Sequence, residues 1–342
     1  MSTVLAPADV PVRRRTVAWL GGTAVALVGL VMISLLVGSK AIPVPTVVDA
    51  LVDFDPTIND HLFVREERLP RTLLALLVGA GLGLAGTVMQ AVARNPLADP
   101  GVLGINAGAS LFVVMGITLF GVTALTGYVW FAFGGALVAT VLVYGVGALG
   151  REGATPVKIA LSGAAANAAF VSLTTTVLLS DTDAFEQFRL WQVGSLSGRH
   201  LDVLTQVLPF LGAGIVLALA SGRLLNTLTL GDDIARGLGQ NTAVARIVAG
   251  VTVVLLCGAA TAAAGPIGFV GLAVPPVARM VAGPDHRVVL PCALLFAPVL
   301  VLAADILGRV IAWPAEVQVG IVTAVLGGPV FIALVRRRGR RQ

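Results

Sequence analysis

Charge is scarce in this sequence. Only 12% of its 342 residues are Asp, Glu, Lys or Arg, about half the share usual in a soluble domain. A chain with so few charges cannot cover a globular surface, which excludes a soluble fold. Lysine is nearly missing, at Lys40 and Lys158 alone, and neither lies in a G-x-x-x-x-G-K-[ST] run. No phosphate-cradling loop is therefore present, and if ATP drives this protein another chain binds it. The two cysteines, Cys257 and Cys292, sit inside apolar runs, where small buried thiols are expected rather than a disulfide or a metal pair. The three histidines, His61, His200 and His286, fall in expected loops without clustered partners, so nothing points to a metal site. No G-x-S-x-G, H-E-x-x-H or paired-carboxylate pattern stands out, and catalysis is not expected. No Asp or Glu lies in the middle of an apolar run; Asp305 is near the end of one and Glu316 in a loop or at an edge. That weighs against a self-powered secondary carrier, which needs buried ionisable groups or unwound ion sites. Such a carrier and a structural scaffold are the two remote alternatives.

What is abundant is apolar length. Hydrophobic residues make up 57% of the chain and mean hydropathy is +0.94, enough for roughly ten spans at the ~20 residues that a bilayer core demands. Ten candidates follow one another at 16–38, 69–92, 101–120, 124–149, 156–180, 203–224, 242–263, 266–283, 287–308 and 317–336. The third, with Asn106, Ser110 and several glycines, and the eighth, with Pro275, Pro276 and Arg279, are the least apolar; hydropathy alone returns eight. The first run follows Arg13, Arg14 and Arg15 and superficially resembles a signal peptide, but it is too long and lacks a cleavage site. The expected fold is all-α: one polytopic domain of about ten transmembrane helices over residues 16–336, between an N-terminal tail of 1–15 and a basic tail of 337–342.

The distribution of charge orients these spans. With the N-terminus inside and ten spans, the inner side collects 16 of the 23 Lys and Arg, from Arg13–Arg15 through Arg94, Arg151, Arg236 and Arg246 to Arg340 and Arg341, and the outer side 12 of the 18 acids. The positive-inside rule thus places both termini in the cytoplasm. The pI near 10 and net charge of +5 report this topology, not a nucleic-acid partner. Trp191 and Trp313 near outer span ends, and Trp19 near an inner one, fit an interfacial belt. The 40 glycines allow helices to approach closely in lipid, where no hydrophobic force drives them together. Broken, polar segments at membrane depth survive only where protein or water satisfies them, which makes Gln90, Asn106, Ser110 and Pro275 candidates for the lining of a path and Thr155 for an inner gate. Between the sixth and seventh spans lies the longest polar inner stretch, Ser221–Arg246. It contains a helix-like segment with Asp232 and Asp233 at its start, Arg236 one turn later, and Gly237 and Gly239 as stop signals. An ordinary surface loop and a docking helix for a cytoplasmic partner are both compatible with it.

The run RLPRTLLALLVGAGLGLAGTVMQAVARNPLADPGVLGINAG from Arg68 to Gly108 closely resembles the signature of the permeases of iron-siderophore and vitamin B12 ABC importers. The resemblance continues in order through FRLWQVGSL (188–196), GDDIARGLG (231–239), GPIGFVGLAVP (265–275), GPDHRVVLP (283–291) and ADILGR (304–309). It implies a type II importer permease fold with two subunits around one path. It also implies that Gly231, Asp232, Asp233, Ala235, Arg236, Gly237, Leu238 and Gly239 form the element that couples to an ATPase. Arg68, Arg71 and Arg309 then become arginines that receive acidic residues of a binding protein, as charges at the rim of the outer face. The chain departs from the family pattern at Pro276, where His is common, and at Gln318–Gly320, where Pro-Val-Gly is common.

The resemblance implies a non-enzymatic permease subunit in the cytoplasmic (inner) membrane. Its partners would be a cytoplasmic ATPase dimer that binds ATP and Mg, a second permease that is a copy or a paralogue, an extracytoplasmic siderophore-binding protein and the lipid bilayer. No cofactor is expected on this chain itself. A ferric siderophore of the catecholate class is the first expectation for the substrate, with cobalamin and haem as alternatives.

Overall fold

The computed structural model describes residues 10–38, 40–149 and 155–339, and these contain no β-strand. The chain opens with α1 (Val10–Leu36), the short α2 (Val44–Val52) and α3 (Asn59–Leu62). A π-helical turn, Phe63–Arg68, joins α3 to the long α4 (Leu69–Val92). A 3-10 turn at Pro100–Leu103 leads into α5 (Ile105–Phe120), followed by α6 (Leu125–Gly147), α7 (Pro156–Ser180) and α8 (Thr182–Gln192). Next come α9 (Leu201–Ala220), α10 (Gly222–Thr229) and α11 (Asp232–Gly237). The chain then continues through α12 (Thr242–Val253), a second π turn at Val254–Gly258, α13 (Ala259–Ala264), α14 (Val270–Ala282), α15 (His286–Ile311) and α16 (Val319–Gly339).

Seven stretches are long and apolar enough to cross a membrane; α5, α14 and Val319–Val330 are apolar but shorter. Together they fall in order on the ten expected spans. By length and hydropathy the count is seven rather than eight. Of the three shorter stretches, α5 and α14 are the interrupted segments, while Val319–Val330 is part of the 21-residue helix α16. Helix α1 begins at Val10, six residues before the first expected span, so residues 10–15 of the expected tail are helical. Residues 1–9, Arg151, Arg340 and Arg341 lie outside the described residues.

Helix α4 is the hub, in contact with α9, α12, α14 and α15. Its sequence explains this position. Gly79, Gly83 and Gly86 recur at spacings of four and three and share one face. A Cβ would stand 2.7 Å from Pro298 Cα at Gly79, 2.4 Å from Ala297 Cβ at Gly83 and 2.0 Å from the Gly271 carbonyl oxygen at Gly86. Helices α14 and α15 therefore pack on α4 at backbone distance, where dispersion replaces the missing hydrophobic drive. The α5–α6 contact repeats the device, since a Cβ on Gly108 would lie 2.5 Å from the Gly135 carbonyl oxygen.

The two prolines of α14 illustrate how an interrupted helix is satisfied. Pro275 and Pro276 lack the N–H groups that would bond the carbonyls four residues back, at Gly271 and Leu272. The Gln90 side-chain amide of α4 donates to both of these carbonyls, at 3.3 Å each. One expectation is overturned here: Trp191 is no interfacial anchor, being 1% exposed and stacked near Phe188 at a centroid distance of 5.9 Å. Trp19 and Trp313 are exposed.

Candidate functional site

At the inner end, α10 and α11 fold back beneath the bundle. Gly231 enters α11 at φ 109° and Gly239 leaves at φ 80°, conformations that side-chain-bearing residues rarely adopt. Gly239 N–H donates to the Arg236 carbonyl and Gln240 N–H to that of Ala235, which closes the helix. Ala235 is buried, whereas Leu230, Ile234 and Leu238 are each more than half exposed. Their spacing of four places them on one face, an apolar stripe that the sequence reading did not single out.

Asp232 ties this element to two spans. Its carboxylate accepts from Arg94, just beyond α4, at 3.2 Å and from Arg246 of α12 at 2.5 Å. Asp233 and Arg236, in contrast, are exposed and only 3.9 Å apart, a pair worth little. On the neighbouring side, Asn226 of α10 donates to Asp285 at 2.7 Å and accepts from His286 N–H at 2.8 Å. The hydrogen bond from the Arg287 side chain, helped by that of Asn226, holds the Asp285 carboxyl well below the usual carboxylate range. Nothing in the local sequence announces the partnership of Asp232 with Arg94, which lies 138 residues away.

At the outer end, Arg68, Arg71 and Arg309 come together, but not as rim charges. They are 2%, 9% and 2% exposed. Arg71 donates Nε and Nη2 to Asp305 and Nη1 to Glu316 at 2.7 Å. Arg309 shares Asp305 and donates to the Ser34 carbonyl at 2.9 Å. The π turn carries Arg68 inward, where it donates to the Leu35 and Lys40 carbonyls. Their positions are those of a clamp joining the ends of α1, α4 and α15 to the loop that carries Glu316. The exposed cations at this end are Lys40, Arg65 and Arg189, of which Lys40 pairs with Asp60 and Arg189 with Glu186.

The expected path residues occupy a different setting. Gln90 and Pro275 meet in the buried α4–α14 contact, and Gln90 Oε1 accepts from Arg279. Asn106 accepts from Thr261 at 3.0 Å, joining α5 to α13, and Ser110 is buried. Thr155 caps α7, its hydroxyl accepting the Lys158 N–H at 3.4 Å. Gln90, Asn106 and Thr155 are thus engaged within the chain.

A bundle of short and long apolar spans with an exposed inner helix pinned to its central helix agrees with what comparison with known proteins finds. Residues 26–337 match the FecCD transport family. The chain belongs to the FecCD transport family. Among its relatives, the ferric enterobactin transport system permease protein FepD of Escherichia coli (strain K12) is 45% identical over 327 residues, 93% of this chain and 96% of the relative. The probable siderophore transport system permease protein YfiZ of Bacillus subtilis (strain 168) is 44% identical over 291 residues, 85% of this chain and 87% of the relative. A solved inward-facing structure of a metal-chelate type ABC transporter superposes with a TM-score of 0.82 at 29% identity, covering 94% of this chain and 99% of that one. The FecCD chain is thus a multi-pass membrane permease subunit with the type II importer fold.

Proposed function

We propose that this chain is one of two permease subunits of an ATP-driven importer in the cytoplasmic (inner) membrane. It passes a ferric siderophore, of the catecholate class first, from an extracytoplasmic binding protein to the cell interior. The substrate class is supported by the names of the relatives FepD and YfiZ. The drive is supported by one observation above the others: Asp232, on the exposed inner helix, holds the end of α4 and the start of α12 at once.

In this reading an ATPase dimer, which binds ATP and Mg, seats the apolar stripe of Leu230, Ile234 and Leu238 in a groove. Movement of that contact reaches the spans through Asp232, and the difference in contact between nucleotide states biases the bundle between inward- and outward-open forms. A second permease, copy or paralogue, completes the path. Binding-protein docking occurs at the outer end, with Arg68, Arg71 and Arg309 fixing the loops that form its surface. Gln90 and Pro275 act as a hinge support between α4 and α14 rather than as contacts to the cargo.

The test is reconstitution with the ATPase and binding protein. Asp232→Asn should leave ATP hydrolysis running while chelate uptake per ATP falls about tenfold, and Ile234→Asp should release the ATPase from the purified complex. Uptake that persists in vesicles without any ATPase would return the chain to the secondary carriers. An unchanged uptake ratio in Asp232→Asn would remove that residue from the coupling path.

A further inference from the structure

At the outer end, the C-terminal half of α8 and the loop after it line a partly open cavity of about 410 Å³. Its walls include Tyr128 of α6, Gln187 and Trp191 of α8, Ser197 and Arg199 of the loop, and Gln318 just before α16. Arg199 is 4% exposed. Its only hydrogen bond among the described residues runs from Nε to the Ser195 carbonyl at a long 3.4 Å, which leaves both terminal amino groups without an acceptor among those residues. No carboxylate among the described residues pairs with it, and none lines the cavity. Burial lowers Arg199 to about 10, so it remains cationic at neutral pH.

Another donor in the wall points to the same chemistry. Gln187 accepts the Tyr128 hydroxyl at 3.1 Å through Oε1, which leaves its amide N–H groups as donors. Arg199 is set apart from the other outer cations. Arg71, Arg309, Lys40 and Arg189 have carboxylate partners, Arg68 donates to backbone carbonyls, and Arg65 lies over the Phe54 ring. A buried guanidinium that faces a cavity without a counter-charge is a structure short of an anion.

We propose that this cavity is an oxyanion subsite in which Arg199, with the Gln187 amide N–H groups beside it, binds a carboxylate or catecholate group of an anionic chelate entering the permease. The cavity is at the small end for ligand sites and holds one benzoate- or citrate-sized arm. The planar guanidinium matches two such oxygens at once. The rest of the outer end is rich in acids, so the subsite gives an anionic cargo a positive point within a repelling surface. The source of the anion rests on the chelate-importer reading; the donor chemistry of the cavity does not.

Equilibrium dialysis of the purified permease against 2,3-dihydroxybenzoate and against citrate tests the cavity itself. Saturable binding is expected in the unmodified protein, about 10- to 100-fold weaker in Arg199→Gln and partly kept in Arg199→Lys. Ser197→Trp, which fills the cavity from an exposed position, should also weaken it, while Arg189→Gln should not. Absence of saturable binding, equal binding by Arg199→Gln, or equally strong displacement by glycerol 3-phosphate, the mark of a lipid-headgroup site, overturns the proposal. Uptake by the reconstituted importer separates the two readings. If the unmodified complex carries no ferric chelate, the importer reading fails while dialysis still decides the cavity. If it does carry them and Arg199→Gln slows anionic and neutral chelates alike, the subsite is not on the chelate's route.

Discussion

Replacing Asp305 by Asn keeps the shape of the side chain, removes its charge and turns an N–H₂ donor toward two guanidiniums. In the native protein Asp305 is 1% exposed and accepts from Arg71 at 2.8 and 3.1 Å and from Arg309. Removing one member of a buried ion pair costs about 3–5 kcal/mol, because the remaining charge is left uncompensated. Here Glu316 still holds Arg71 Nη1, and the Ser34 carbonyl still accepts from Arg309. The loss should therefore lie near the low end, about 3 kcal/mol, a shift of roughly a hundredfold in the folding equilibrium. Asp60→Asn is the matched control. Its partner Lys40 is 2.6 Å away but 63% exposed, and such surface pairs contribute about 0–1 kcal/mol. Denaturant unfolding of both variants in detergent micelles, followed by helical signal, gives the comparison. Equal losses in the two variants would refute the claim that the arginine cluster is a structural clamp. So would an Asp305→Asn protein of native stability whose only defect is weaker binding-protein docking, since the guanidiniums would then be serving a partner.

Three further outcomes are expected. Gly86→Ala puts a methyl 2.0 Å from the Gly271 carbonyl oxygen and should abolish folded yield on size-exclusion chromatography, whereas Gly29→Ala, with nothing within 4 Å, should be recovered at the native level. Asp285→Asn should lower stability modestly at neutral pH, because Asp285 is held below the usual carboxylate range and is accessible to solvent. A depressed folded-state value stabilises above the unfolded-state value of about 3.9, so unfolding measured from pH 7 downward should show the gap between native and variant protein closing only below about pH 4. Gly231→Ala should disturb the entry to α11, since φ is 109° there, and uptake should fall while the midpoint of global unfolding changes little.

Much of the bundle was legible because hydrophobic length is a one-dimensional property. The ten apolar runs reappear in order, and the short ones, at α5 and α14, are those whose polar residues and prolines marked them as interrupted. The inner helix was legible from its acids, its glycines and the motif around it. Its apolar stripe is carried by Leu230, Ile234 and Leu238 at a spacing of four, a signal present in the sequence. The arginines near the outer end are legible in the sequence, but their burial is not. Positive charge in an outer loop suggests a rim, and the sequence does not reveal that a π turn carries Arg68 inward or that Asp305 meets Arg71 across 234 residues. Trp191 departs from the interfacial expectation for the same reason: a tryptophan near a span end anchors to lipid only if no helix covers it.

The sequence by itself determined the solvent and the class, and its charges give the expected orientation. Its apolar fraction, the lengths of its runs and the asymmetry of its charges act through transfer free energies that depend on composition and order, not on which span touches which. The tertiary structure decided which polar side chains are already satisfied. Gln90 completes the carbonyls that Pro275 and Pro276 leave open, Asp232 holds two spans at once, and Asp305 neutralises two arginines, while Arg199 is left facing a cavity. Such pairings bring together residues as far apart as Arg71 and Asp305, 234 positions distant, and only packing sets the distance on which burial and Coulomb energy depend.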